Sequence, residues 1–178
     1  MSSREHSLPH QEPKGPVDRS RLRNVLSRYA TGVTVITAMT ELGPVGMTAN
    51  SFSSVSLDPP LVLFSVSRAS QLSSHLTESG SFAVNVLSTA QKDLSAQFAR
   101  PGFNRFGDTE WYAGRTSCPL FPGALAVVEC SVTAVYEGGD HLITVGQVLG
   151  ADSLESADSP LLFFGGAYRE MRCDVRDG

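Results

Sequence analysis

The chain has 178 residues, 41% of them hydrophobic, enough for one domain with a substantial core and nothing that forces a second. A net charge of -4, with the basic residues scattered rather than gathered into a stripe, argues against a nucleic-acid partner. Cys118, Cys130 and Cys173 are an odd set without paired spacing, so they offer neither a disulfide framework nor a zinc site, and no apolar run is long enough to span a bilayer.

Residues 1–17 are polar, carry three prolines and show no hydrophobic period, which predicts a flexible amino-terminal arm. They lack a signal-peptide core, so the expectation is a soluble, cytoplasmic protein with no membrane partner. From Asp18 the pattern changes. Leu22, Val25, Leu26 and Tyr29 fall at helical spacing, with Asp18 or Ser20 available as a cap, and predict a helix ending before Gly32. Short runs of β-branched and apolar residues between Gly, Pro and Ser then predict strands at Val33–Met39, Val45–Ala49, Leu61–Ser67, Ser81–Val86, Ala124–Tyr136, His141–Ala151 and Leu161–Phe164. Two helical patches, Ser70–Glu78 and Thr89–Phe98, interrupt them. Several antiparallel strands with few helices suggest a closed or nearly closed barrel: mainly β with peripheral helices. The domain runs over 18–171, followed by a tail at 172–178.

The stretch from Gly43 to Val62 carries the chemistry. Small residues in Gly46-Met47-Thr48-Ala49-Asn50-Ser51-Phe52 let the backbone approach a ligand, while Thr48, Asn50 and Ser51 supply donors and acceptors for a flat polar ring. A strand followed by a Ser-rich turn would read the same way in any barrel. Asp58-Pro59-Pro60 then forces an extended turn before the next strand. Ser65-Val66-Ser67-Arg68-Ala69-Ser70 lies where a strand gives way to a helix, and a helix start attracts phosphate through its unpaired N–H groups. Alternatively, Ser70 only caps its helix and Arg68 lies in water. Asn85, in an apolar strand, needs partners that a neighbouring strand or a ligand could supply. His141 follows the turn Gly138-Gly139-Asp140, which places an imidazole at a strand entrance.

Thr31-Gly32-Val33-Thr34-Val35-Ile36-Thr37, the Gly46 to Phe52 run with Ser54-Val55-Ser56-Leu57-Asp58-Pro59-Pro60, Val84-Asn85-Val86-Leu87 and Gly139-Asp140-His141 occur in an order that resembles the short-chain flavin reductases serving two-component flavin-dependent monooxygenases. The resemblance spans residues 20 to 171. It implies an FMN-binding split β-barrel, flavin reductase-like, assembled as a homodimer. It also implies FMN or FAD and NADH or NADPH as cofactors, and a separate monooxygenase served through diffusible reduced flavin.

On that resemblance, Met47, Thr48, Ala49, Asn50, Ser51 and Phe52 border the flavin ring, and Ser65, Val66, Ser67 and Ser70 approach its phosphate. Asn85, Gln91, Phe98 and Tyr168 lie nearby, Tyr168 reading equally as a core aromatic, and His141, which beside a turn would otherwise read as a surface or hydrogen-bonded histidine, is the nicotinamide-binding and catalytic one. The implied activity is NAD(P)H:flavin oxidoreduction. The alternatives are a flavoprotein that holds flavin tightly and reduces another acceptor, and a non-catalytic flavin carrier. The segment Pro101–Pro122, with Phe103, Arg105, Phe106, Trp111 and Tyr112 among glycines, reads as a long lid-like loop. Ser117-Cys118 stands there in place of the small residue and glycine expected from the family pattern, and a structural role is expected for Cys118. His6, His10 and His75 show no ligand spacing with cysteines or acids, so no metal is expected.

Overall fold

The computed structural model describes residues 15, 17–100, 102, 105–153 and 158–171. Most of the expected arm, the tail 172–178, Phe103 and Cys173 lie outside the described residues. In chain order the elements are α1 (Arg19–Leu26), β1 (Thr31–Gly32), β2 (Thr34–Thr40), β3 (Gly43–Ala49), β4 (Ser53–Leu57) and β5 (Pro60–Ser67). Then come α2 (Gln71–Ser79), β6 (Ser81–Val86), a 3-10 turn at Thr89–Gln91, α3 (Lys92–Ala99), β7 (Tyr112–Ala113) and β8 (Pro119–Leu120). The chain finishes with β9 (Ala126–Gly138), β10 (His141–Ser153), β11 (Leu162–Phe164) and β12 (Ala167–Arg169).

Seven strands form the main sheet in the order β3-β2-β6-β9-β10-β5-β4, every pair antiparallel. Its edge strands β3 and β4 do not pair, yet only Asn50, Ser51 and Phe52 separate them in sequence. So short a link reaches at most about 14 Å, so the sheet must curl until its two edges face each other. The result is a split barrel, with a seam where the ladder fails to close. Ser51 stitches that seam, its hydroxyl donating to the Ser65 carbonyl on β5 and accepting from the Ser65 N–H, both at 3.0 Å.

The strand β2 is buried on both faces, and its period of two separates two cores. Ile36 and Ala38 point inward to Phe64, Val66, Leu72, Phe82 and Val84, while Val35 joins Leu87, Phe98, Phe106, Phe121 and Leu161 on the outside. The strand β4 was not foreseen, because Ser53-Ser54-Val55-Ser56 lacks strand propensity. Pairing with β5 makes it a strand, at an exposed edge where propensity counts least. The loop at 101–122 also holds more order than its composition suggests, since β7 and β8 pair as a ribbon. No helix among the described residues is long and apolar enough to cross a membrane.

Candidate functional site

A cavity of about 450 Å³ opens beside the seam, lined by Met47, Thr48, Ala49, Asn50 and Ser51 from the β3 end and by Ser65 and Ser67 from β5. Ala69 and Ser70 at the start of α2, Phe98 and Ala99 at the end of α3, Arg105 and His141 complete it. A second space of about 1160 Å³ shares Asn50 and Ser51 and runs on past Phe52 and Ser53 to α1, Thr31 and Phe163. The six residues 47–52 therefore stand at the junction of two cavities.

Local chemistry explains how each wall is held. Thr48 Oγ1 donates to the Ser95 carbonyl at 2.6 Å, fastening β3 to α3. Phe98 packs close against β3 because Gly46 has no side chain: a Cβ there would meet the Phe98 ring at 3.0 Å. Ser70 caps α2, its hydroxyl accepting from Leu72 N–H at 3.3 Å, and the same oxygen lies 3.8 Å from Met47 Sδ. Residue His141 opens β10 directly across from Ser67. The reversal before it needs Gly139, whose φ is +71°, and the Arg68 guanidinium steadies it through Nε to the Gly139 carbonyl at 3.0 Å and an ion pair with Glu137 at 3.0 Å. His141 Nδ1 lies 2.8 Å from Asp140 Oδ1, and this hydrogen bond, with the histidine charge, holds the Asp140 carboxyl below the usual carboxylate range.

Some expected site residues stand elsewhere. Val66 is fully buried with its side chain in the inner core, so only its backbone faces the strand pairing. Asn85 is fully buried and satisfied within the protein: Nδ2 donates to the Val35 and Pro119 carbonyls at 3.2 and 3.3 Å, and Oδ1 accepts from Phe121 N–H at 2.9 Å. The amide Oε1 of Gln91 accepts from Ser88 N–H at 3.1 Å, and its Nε2 donates to the Pro122 carbonyl at 2.9 Å. Both amides hold the 119–122 loop to the barrel, and neither lines either of these two cavities. Tyr168 packs edge-on against Phe163 and its hydroxyl lies 2.8 Å from Ser95 Oγ, backing the site through α3 rather than lining it.

Two arginines near the site take different positions. Arg68 turns away to the hairpin, whereas Arg105, singled out only as part of a loop, lines the small cavity. No local signal marks Arg105. Its position depends on the neighbouring Phe106, which enters the outer core against Phe98 and Phe121. The thiols take no part: burial pushes the Cys118 thiol up and that of Cys130 up to about 12. Among the described residues no group of three or more His, Cys, Asp or Glu could hold a metal ion.

An open-seamed, mainly antiparallel barrel with its small-residue cradle at the seam defines a protein of the split-barrel class. The chain belongs to the flavin reductase like domain family, whose model matches residues 26–172. It is 47% identical over 156 residues to the FMN reductase (NADH) SmoA of Agrobacterium fabrum, covering 88% of this chain and 87% of that protein. It is 38% identical over 153 residues to HsaB of Mycobacterium tuberculosis, the reductase subunit of a flavin-dependent monooxygenase, covering 85% and 82%. Among solved structures, the NADH:FAD oxidoreductase SgcE6 of Streptomyces globisporus, in complex with NAD and FAD fragments, superposes with a TM-score of 0.84 at 42% identity, covering 89% of this chain and 95% of that one.

Proposed function

We propose that this protein is an NAD(P)H:flavin oxidoreductase that reduces FMN or FAD and supplies the reduced flavin to a separate monooxygenase. The observation that carries the reading is the meeting, in one cavity, of the small-residue seam at Met47–Ser51, the Ser67 and Ser70 hydroxyls and the His141 imidazole. Relatives named as NADH-dependent FMN reductase and as a monooxygenase reductase subunit support it.

A cavity of about 450 Å³ suits a small planar ligand. Thr48, Ala49, Asn50 and Ser51 would border the flavin ring, and the Ser67 and Ser70 hydroxyls, at the positive end of α2, would face its phosphate. The flavin supplies the redox chemistry by accepting hydride from the reduced nicotinamide. The chain's own task is placement: His141 holds the nicotinamide nucleotide, and Phe98 with Met47 closes the wall behind the rings. His141 is assigned to binding rather than to obligate proton transfer.

The same reading includes a homodimer. On α1 and just after it, Leu22, Val25, Leu26 and Tyr29 are 45, 62, 62 and 78% exposed, an apolar face that a second copy would cover. Leu22, Leu26 and Tyr29 also line the larger cavity, so the covering copy would enclose the side of the seam that this chain leaves open.

The test is loss of the reduced-nicotinamide absorbance on mixing NADH or NADPH with protein and FMN, FAD, riboflavin or no flavin. Turnover that requires added flavin is expected. Absence of turnover with flavin fluorescence still quenched would replace the enzyme by a carrier.

A further inference from the structure

The carboxy-terminal hairpin of β11 and β12 gives no residue to the small cavity, yet it is tied to three elements around the seam. Its strand β11 pairs with β1. At its turn, where Gly165 and Gly166 have φ of +63° and +77°, the Gly165 N–H donates to the Ser27 carbonyl at the end of α1 at 2.8 Å. Just before β11, Leu161 joins Phe98 in the outer core; its carbonyl accepts from Val33 N–H at 3.1 Å and its N–H donates to the Leu87 carbonyl at 3.0 Å. Tyr168 on β12 therefore stands on a fixed post. Its ring packs against Phe163 with centroids 5.7 Å apart, and its hydroxyl shares a 2.8 Å hydrogen bond with the Ser95 hydroxyl on α3. Ser95 is fully buried, and its carbonyl accepts from Thr48 Oγ1 at 2.6 Å. Thr48 lines the cavity, and so do Phe98 and Ala99, one turn further along α3.

A helix of eight residues is too short to hold its place by backbone bonding alone, so the position of α3 is set by what it touches. A buried hydroxyl is costly without a partner, and a tyrosine ring carries its hydroxyl on a rigid lever, so the Tyr168–Ser95 bond fixes α3 against the hairpin with little slack. Hydride transfer in turn is steep in distance and orientation, a displacement of about 1 Å costing about a hundredfold in rate. We infer that Tyr168 is a positioning residue of the reductase reaction: through Ser95 it sets the depth of α3, and with it the wall of Thr48 and Phe98 on which a flavin ring would rest. The inference rests on the flavin-reducing function proposed above and deepens it, since it gives a residue outside the cavity control of ring placement and leaves nucleotide recognition to others.

The experiment compares wild type, Tyr168→Phe, Ser95→Ala and the double variant by fluorescence titration with riboflavin and FMN and by steady-state NADH oxidation, each protein held equally far below its own denaturation midpoint. Tyr168→Phe keeps the ring against Phe163 and removes only the hydroxyl, while Ser95→Ala removes the other end of the same bond and keeps the carbonyl that Thr48 uses. Tyr168→Phe should weaken riboflavin and FMN by a common factor of about threefold to tenfold, as loss of one hydrogen bond requires. It should lower kcat by about tenfold and leave the NADH KM within about twofold. Ser95→Ala should do the same, and the double variant should be no worse than either single one, as for two ends of one contact. Should Tyr168→Phe not fold, Ser95→Ala carries the binding and kinetic test alone. Unchanged flavin constants and kcat, losses that multiply in the double variant, or a loss for FMN that spares riboflavin overturns the inference. So does a loss that vanishes once the proteins are compared at that matched interval, since the bond would then act on stability alone. Wild-type protein that binds neither flavin would instead remove the functional reading itself.

Discussion

His141 enters the small cavity because a glycine-dependent reversal ends one residue before it and the antiparallel register sets it across from Ser67. Its position was legible in Gly138-Gly139-Asp140-His141; its neighbour Ser67, 74 positions earlier by number (141 less 67), was not. If it contacts the nicotinamide nucleotide, His141→Ala should raise the NADH KM several-fold while flavin affinity, read by fluorescence titration, stays within about twofold. Unchanged reductase kinetics would remove the assignment. Arg68 and Arg105 teach the opposite lesson. Both are cations near the site in sequence or space, and the sequence left Arg68, beside a helix start, open between a phosphate contact and a place in water. Tertiary packing separates them: Glu137 and Gly139, far along the chain, draw Arg68 outward, and Arg105 follows its neighbour Phe106, which packs against Phe98.

Elements in this fold are fastened by a few close approaches whose removal can be measured. On β10, Gly146 faces Phe82 so tightly that a Cβ would lie 2.5 Å from the ring, and Phe82 is itself pinned edge-on against Phe64 at 5.0 Å. Gly146→Ala should therefore destabilise the protein by about 1 to 3 kcal/mol through overpacking, seen as a lower denaturation midpoint. On β9, Glu129 anchors the loop before β8, its Oε1 accepting from Thr116 N–H at 2.7 Å and Thr116 Oγ1 at 2.8 Å. Burial pushes this carboxyl up, but the Thr116 hydrogen bonds and the Arg115 charge outweigh it and hold it below the ordinary glutamate value. Glu129→Ala should cost about 1 to 3 kcal/mol near neutral pH. Because the folded-state value is depressed, that contribution is complete above the unfolded glutamate value and fades as pH falls through the folded one. Urea unfolding of both proteins across acid pH would show the gap closing; a constant gap would mean that the carboxylate charge is not what anchors the loop.

At the scale of the molecule, the uncovered apolar side of α1 stands out. A helix with no buried residue gains little from packing within its own chain, so a second copy gives Leu22, Leu26 and Tyr29 a reason to be apolar. Leu26→Glu should shift the species observed by light scattering from dimer to monomer and weaken flavin binding along with it, since Leu26 borders the larger cavity. A variant that remains dimeric, or wild type that is monomeric at the outset, would remove this part of the proposal.

The sequence by itself determined a mainly β chain with peripheral helices and singled out the stretch that borders both cavities. Alternating apolar runs marked seven of the strands, and the small, hydroxylated stretch at 46–52 read as a cradle for a flat polar ring, because period and residue size act locally. Tertiary structure alone decided that β4 is a strand, that Asn85 and Gln91 hold a loop rather than line a cavity, and that Arg105 is the cation of the site. β4 depends on its hairpin partner β5, while the amides and Arg105 depend on carbonyls and N–H groups well along the chain, at Val35, Phe121, Pro122 and Gly46, which folding alone brings near.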